Sequence, residues 1–456
     1  MVAANRCRDP EPVVPLGAAL AAEAAESAGW DADLLDLGFA ARPVVSLGRY
    51  LDRTKPDLVA LSVRNLDNND ALVPRSYAPE VRSLVAVCRD RGVPVVLGGP
   101  GVSILPGPLL EFSGADWALP GEAEAVFPGF LHRLQDADPP PRGVIFAARR
   151  HVATSGVPDL SRWLDLRPYI ARMAPGPLQS KRGCPFGCVY CTYPAIEGAR
   201  YRLRAPEAVA EDAGRLFRKG FRAVELVDSV FNAPRDHAVG VCEALAAGHR
   251  QGILVTHDLS PLGLDEALAE AMEAAGFRAV GITAESASGE VLGALGKPFG
   301  PEDVARTARV LRSRAMAVLW VMLFGGPGET PETVRESLAF LRSVMRPNDA
   351  AWIGVGIRVY PGTPLAELAA DEGGLFGDPA SVDQPAFYVS PRTPLGWLAQ
   401  TVGEAARSDP RILWSGVRGR SLQAPLRRIG GWLGAPGPLW RVAPRIRRLL
   451  FAAGFR

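Results

Sequence analysis

Three cysteines fall within eight residues, in the run Cys184-Pro185-Phe186-Gly187-Cys188-Val189-Tyr190-Cys191. Three thiolates on one tight loop suit three corners of a four-iron cluster and leave the fourth iron open. A structural zinc site takes four ligands. No second Cys or His pair follows at ribbon spacing, and the nearest downstream histidine is His237. Gly183, Pro185 and Gly187 mark the run as a loop and not as core. The other cysteines, Cys7, Cys88 and Cys242, are scattered, so there is no disulfide framework.

Polar residues recur where apolar runs end: Asp228 after 223–227, Glu285 and Ser286 after 279–283, and Arg358 at the end of 353–359. Each has a plain structural alternative. Asp228 could cap a helix, and Glu285 with Ser286 could cap the next one.

The elements that must position these groups form two alternating series. In residues 1–135, short apolar strands (2–4, 33–37, 57–63, 94–97, 115–119) alternate with helical patterns at 15–29, 78–92 and after Gly121-Glu122-Ala123-Glu124. Continuous apolar strands between helices indicate a doubly wound, Rossmann-like parallel sheet, which binds ligands at the carboxyl ends of its strands. Residues 136–178 read as a linker, broken by Pro139-Pro140-Pro141 and including a small hairpin at 143–153. From 179 to 365 the alternation resumes, with strands at 223–227, 253–256, 279–283, 318–324 and 353–359 and one before the cysteines. Six βα units make a partial (β/α)6 TIM barrel, and the fold class is α/β. Residues 366–456 form a less regular, basic C-terminal helical region.

The cysteine run with an aromatic residue before its last cysteine resembles the signature of the radical S-adenosylmethionine (SAM) superfamily. The resemblance extends over 179–365. It includes Val227-Asp228-Ser229-Val230-Phe231-Asn232, Ala284-Glu285-Ser286-Ala287-Ser288 with Lys297 behind it, Phe324-Gly325-Gly326-Pro327-Gly328-Glu329-Thr330, and Arg358-Val359-Tyr360-Pro361-Gly362-Thr363-Pro364. It implies that Cys184, Cys188 and Cys191 hold a [4Fe-4S] cluster. It also implies that Tyr190, Asp228, Glu285, Ser286, Lys297 and Arg358 position SAM. The cluster then needs an external electron donor of the flavodoxin or ferredoxin type.

The first series, with PDLVALS, VVLGGPG and a PGEAE segment directly ahead of that core, resembles the cobalamin-binding (B12) domain of the B12-dependent radical SAM class. The resemblance implies a crevice lined by Ser62, Arg64, Asn65, Gly98, Gly99 and Gly101. No DxHxxG stands at the strand end, where the chain reads Ser62-Val63-Arg64-Asn65. Cobalt would then lack a histidine ligand, and Arg64 would sit beneath the corrin. The implied activity is C-methylation of an unactivated carbon through a 5′-deoxyadenosyl radical and methylcobalamin. The alternatives are a cyclisation or rearrangement on the same architecture, and a cluster-bearing redox sensor.

With 456 residues, 48% hydrophobic and 22% charged, the chain is an ordinary globular protein of two or three domains. No apolar run approaches the roughly 18 residues of a membrane span, and no secretory order opens the sequence, so a cytoplasmic location is expected. After Asp409 there are ten Arg and no acidic residue, with Trp414, Trp432 and Trp440 among them. That tail reads first as a lid packed on an acidic body and second as a peripheral contact with an anionic membrane surface. No nucleic-acid module accompanies it. The substrate is expected to be a small molecule, lipid-like or a natural-product intermediate, met near His257, Asp258 and Tyr360.

Overall fold

The computed structural model describes residues 1–8, 11–136, 140–147, 156–248, 252–414 and 427–452. The first domain is a parallel sheet of six strands: β1 (Val2–Ala3), β2 (Leu35–Asp36), β3 (Val59–Ser62), β4 (Val95–Gly98), β5 (Trp117–Leu119) and β6 (Val144–Ile145), in the order β2-β1-β3-β4-β5-β6. The order reverses at β1 and β3, so the loops after these two strands open a crevice at the switch point. The central strands are buried on both faces, as their unbroken apolar runs require. Two elements differ from the sequence reading. Pro43–Thr54 is a helix, because proline is tolerated in a first turn and Leu47 and Leu51 face the core. Residues 144–145 pair parallel with β5 as an edge strand, extending the sheet past residue 135 into the expected hairpin, whose remainder from 148 to 153 lies outside the described residues.

The second domain is a curved parallel sheet of seven strands. Six carry the expected alternation: β7 (Gly176–Leu178), β10 (Ala223–Leu226), β11 (Ile253–Leu259), β12 (Phe277–Glu285), β13 (Ala317–Phe324) and β14 (Ala350–Val355). Between β7 and β10 a short antiparallel hairpin, β8 (Lys181–Arg182) with β9 (Arg202–Leu203), brackets the cysteine loop. The expected strand 353–359 is split. Gly356 turns left-handed at φ +74°, and β15 (Ile357–Arg358) leaves to join β16 (Leu375–Phe376) and β17 (Phe387–Tyr388) in a separate antiparallel sheet. The seventh strand, β18 (Ile412–Trp414), comes from the C-terminal region and pairs with β14. Beyond it a 3-10 turn, Leu439–Arg441, leads into the helix Ala443–Ala452. Among the described residues, no helix is long and apolar enough to cross a membrane.

Candidate active site

The cysteine loop is held by its backbone. Gly183 sits at φ +86°, and a Cβ there would lie 2.1 Å from the Arg200 carbonyl oxygen, so only glycine fits. The Gly183 amide donates to Glu197 (3.1 Å), the Val189 amide to the Leu295 carbonyl (3.1 Å), and the Leu365 amide to the Val189 carbonyl (3.0 Å). The loop is thereby pinned to the turns after β12 and β15. Cys184 is buried, Cys188 and Cys191 are half-buried, and all three are free thiols facing one chamber. Among the described residues no three His, Cys, Asp or Glu side chains gather closely enough to hold a lone metal ion. The sulfurs nevertheless feel one another: burial first, then the neighbouring Cys188, push the Cys184 thiol up and carry Cys191 to about 11. Three thiolates so placed call for a cationic core larger than one ion. This donor set fits an iron–sulfur cluster with an open corner.

Beside the loop stands a buried triad. Lys297 Nζ donates to the Tyr190 hydroxyl (2.6 Å) and to Glu285 Oε1 (3.1 Å), and the Tyr190 hydroxyl donates to the same carboxylate oxygen (2.8 Å). Burial pulls the Lys297 ammonium down, but Glu285 outweighs it and the ammonium stays firmly protonated. Glu285 itself holds φ +64°, a left-handed backbone rare for a side-chain-bearing residue and costing about 1 kcal/mol. The bend ends β12 and turns the carboxylate into the chamber.

The other expected SAM contacts lie elsewhere. Asp228 does not line the chamber. It is wholly buried and accepts from the Ser180 amide (2.8 Å), the Ser180 hydroxyl, and Lys181 Nζ (3.2 Å), so it anchors the strand ahead of the cysteines. Ser286 is also buried, shared with Ser337 Oγ (3.2 Å) and the Ser288 amide (3.1 Å). Arg358 borders the chamber, but its Nε donates to Asp67 Oδ2 of the first domain.

On the first domain's side, Arg64 and Asn65 line the chamber together with Asn5, Arg6, Cys7 and Tyr77. Arg64 is exposed there and has no hydrogen bond or ion pair among the described residues; Asp67 pairs elsewhere and Asp70 caps Leu72 and Val73. Ser62, Gly98, Gly99 and Gly101 are set back from the chamber wall. Gly99, at φ +98°, presses on the Val63 carbonyl, where a Cβ would stand 2.7 Å away. These glycines shape the crevice through close packing. The segment 121–124 clamps the domains together: Glu122 accepts from Arg202 (2.8 Å) and Glu124 from Arg182 (2.9 Å).

The chamber enclosed by both domains measures about 1520 Å³, more than the ~300–1,000 Å³ of an ordinary small-molecule site, and so suits several occupants at once. Its floor joins His257, expected near the substrate, to Trp440, Glu225 and Glu11, to which the sequence analysis gave no site role. Trp440 of the tail plugs the lower end of the barrel, packing on Val255, Ala279, Leu319 and Ala350. Its indole Nε1 donates to His257 Nε2 (2.8 Å), while His257 Nδ1 meets the Glu225 carboxylate. An indole can only donate, so Nε2 must accept and Nδ1 must carry the proton. Burial draws the His257 pKa down, while Glu225 first and then Glu11 push it up, to about 9 on balance. Gly281 makes room for this: a Cβ would lie 2.4 Å from the His257 carbonyl oxygen. A lone glutamate inside the apolar strand AVEL was the one local signal for Glu225. Glu11 accepts from the Leu439 amide, and nothing local foretold that pairing or Trp440.

Residues 9–131 match the B12 binding domain, and residues 178–341 match the radical SAM superfamily. The two matched modules lie in series around one chamber, the B12 binding domain ahead of the radical SAM domain. Among the chain's curated relatives is a tryptophan 2-C-methyltransferase of Streptomyces laurentii, 24% identical, with 79% of this chain and 73% of that protein covered. A hopanoid C-3 methylase of Methylococcus capsulatus is 29% identical over 55% of this chain and 48% of its own length. The radical SAM methyltransferase TsrM from Kitasatospora setae, solved with tryptophan and a SAM analogue, shares the fold throughout: TM-score 0.84, 24% identity, 99% of each chain covered. The radical SAM enzyme OxsB, solved with aqua-cobalamin and SAM, matches at TM-score 0.67 and 14% identity, over 99% of this chain and 75% of that one.

Proposed function

We propose that the chain is a cobalamin-dependent C-methyltransferase acting on a small molecule. The single observation that carries this reading is the chamber: the cysteine loop, the Tyr190–Glu285–Lys297 triad and the Arg64–Asn65 strand end all open into it. When bound, the cluster, SAM and cobalamin supply electron transfer, radical generation and methyl delivery. Cys184, Cys188 and Cys191 hold the cluster. Glu285, fixed by Lys297 and Tyr190, presents a carboxylate to the polar groups of SAM. Arg64 and Asn65, which line the chamber just beyond β3, would lie against the corrin and present a cation and an amide to it. Trp440 seals the barrel floor and excludes water from reactive species. A relative's tryptophan chemistry favours a compact substrate.

Anaerobic turnover with methyl-labelled SAM, reductant and candidate substrates tests this reading. A product heavier by one methylene unit supports it. A SAM-derived change with no gain in mass moves the chain to the cyclase or rearrangement class, and absence of any SAM turnover moves it to the redox sensors. A flavodoxin or ferredoxin supplies the electron in a cytoplasmic setting. Exposed Ile429, Trp432 and Leu433 beside Arg428 support a peripheral contact with anionic lipid, which vesicle co-sedimentation tests.

A further inference from the structure

The charged groups of the barrel half of the chamber pair off with one exception. Glu285 is taken by Lys297, Glu225 by His257, and Arg447 by the carbonyls of Ile412 and Ala406. Asp258, at the carboxyl end of β11, lines the chamber, yet its carboxylate has no hydrogen bond or ion pair among the described residues. The charges it faces are His257 of its own strand, Glu225 of β10, Asp228 after β10 and Glu285 of β12. Three of the four are acidic, and the fourth, His257, is already engaged by the Glu225 carboxylate. An enclosed carboxylate among carboxylates is costly to ionise until a cation joins it.

The same chamber has an aromatic and apolar stretch of wall. Trp352, Trp414 and Trp440 line the same space with Val321 and Leu323. Trp352 is 40% exposed on an otherwise buried strand, because it faces the chamber. An acidic point within an aromatic box selects a ligand with a protonated amine on a flat apolar body.

We propose that Asp258 is the specificity-determining residue of the substrate site and receives the ammonium group of an aromatic amine or amino acid. The proposal rests on the methyltransferase reading for the word substrate, while the binding it asserts can be measured without turnover. An ammonium on Asp258 would leave its apolar body among the tryptophans that line the same chamber. SAM also carries an ammonium, so the test must separate the two sources.

The experiment is calorimetric titration of the anaerobically reconstituted holoprotein. The probes are two matched pairs, tryptamine against tryptophol and phenethylamine against 2-phenylethanol, with S-adenosylhomocysteine as probe of the SAM site. The expected result is an amine preference of at least about tenfold in one pair or both. Asp258→Asn should abolish that preference and leave S-adenosylhomocysteine affinity unchanged, and Asp258→Glu should retain part of it. The visible spectrum of the cluster reports that each variant is folded, and the wild-type panel stands even where a variant is not. No amine preference in either pair overturns the proposal, as does a preference that survives in Asp258→Asn. A variant that loses S-adenosylhomocysteine instead assigns Asp258 to the cofactor and overturns it too. Amine preference without methylated product would sink the methyltransferase reading alone; methylation without amine preference would sink this one alone.

Discussion

Arg358 and Asp67 form a buried ion pair across the two domains, with Nε 2.8 Å from Oδ2 and the side chains only 4% and 3% exposed. Arg358 closes β15 in the second domain; Asp67 belongs to the loop after β3 in the first. The guanidinium also stacks over Tyr360, 4.3 Å from its ring centroid, and donates to the Ala386 carbonyl (3.0 Å). The pair therefore fixes the crevice wall against the barrel.

Removing one partner leaves the other charged and dry. Arg358→Gln should cost about 3–5 kcal/mol, whereas a paired replacement, Arg358→Met with Asp67→Leu, should cost much less. Thermal melting of the two proteins checks this. Equal melting temperatures for the single variant and the parent would show that the pair carries no stability.

Arg358 also shows where sequence reasoning stops. Its motif neighbours are local, but Asp67 lies 291 residues away, and no spacing rule reports a partner at that distance. The cysteine loop was legible because its chemistry is contained in eight residues. The alternating strands were legible because their apolar runs are unbroken. Asp228 looked like a cofactor contact at a strand end, yet Lys181, almost alone among 47 Arg, buries beside it and claims it. Trp440 was seen only as part of a basic tail, since plugging a barrel depends on tertiary closure. Leu439, Trp440, Ala443, Ile446, Arg447, Leu450 and Phe451 of the tail line the chamber; its arginines at 418, 420 and 456 lie outside the described residues.

Gly183→Ala touches no ligand, yet it should abolish cluster assembly. The new Cβ would overlap the Arg200 carbonyl, and φ +86° disfavours any side chain. Iron and sulfide content with the visible spectrum after anaerobic reconstitution should fall to the level of Cys184→Ala. Cys88→Ala and Cys242→Ala, at buried sites away from the chamber, should reconstitute normally. A fully loaded Gly183→Ala protein would show that the hairpin does not set the loop.

Lys297→Ala and Glu285→Gly test the triad from its two charged ends. Lys297→Ala strips a charged hydrogen bond from Glu285 and should weaken S-adenosylhomocysteine binding about 10–100-fold. Glu285→Gly relieves about 1 kcal/mol of left-handed strain at φ +64° but strands the buried Lys297 ammonium, so it should melt below the parent and lose the same ligand. If Glu285→Gly bound S-adenosylhomocysteine as tightly as the parent, the triad would be a structural brace and nothing more.

The pH dependence of amine binding follows from the surroundings of Asp258. Burial, opposed by His257 and reinforced by Glu225, Asp228 and Glu285, pushes its carboxyl up to about 7. Below that value the group is neutral in the free protein, and an ammonium ligand must displace a proton; above it the carboxylate is already charged. The ammonium of an arylalkylamine stays protonated to about pH 9. Tryptamine affinity should therefore rise from pH 6 to pH 8, by up to about tenfold for each unit below the transition, and level off above it. The sign is opposite for stability: a carboxyl whose folded pKa lies above its unfolded value favours the fold most at low pH, and that advantage is lost as pH rises through about 7. Titrations at pH 6, 7 and 8 with the parent and Asp258→Asn decide the matter. A flat profile in the parent, or the same slope in the variant, would place the titrating group elsewhere in the chamber.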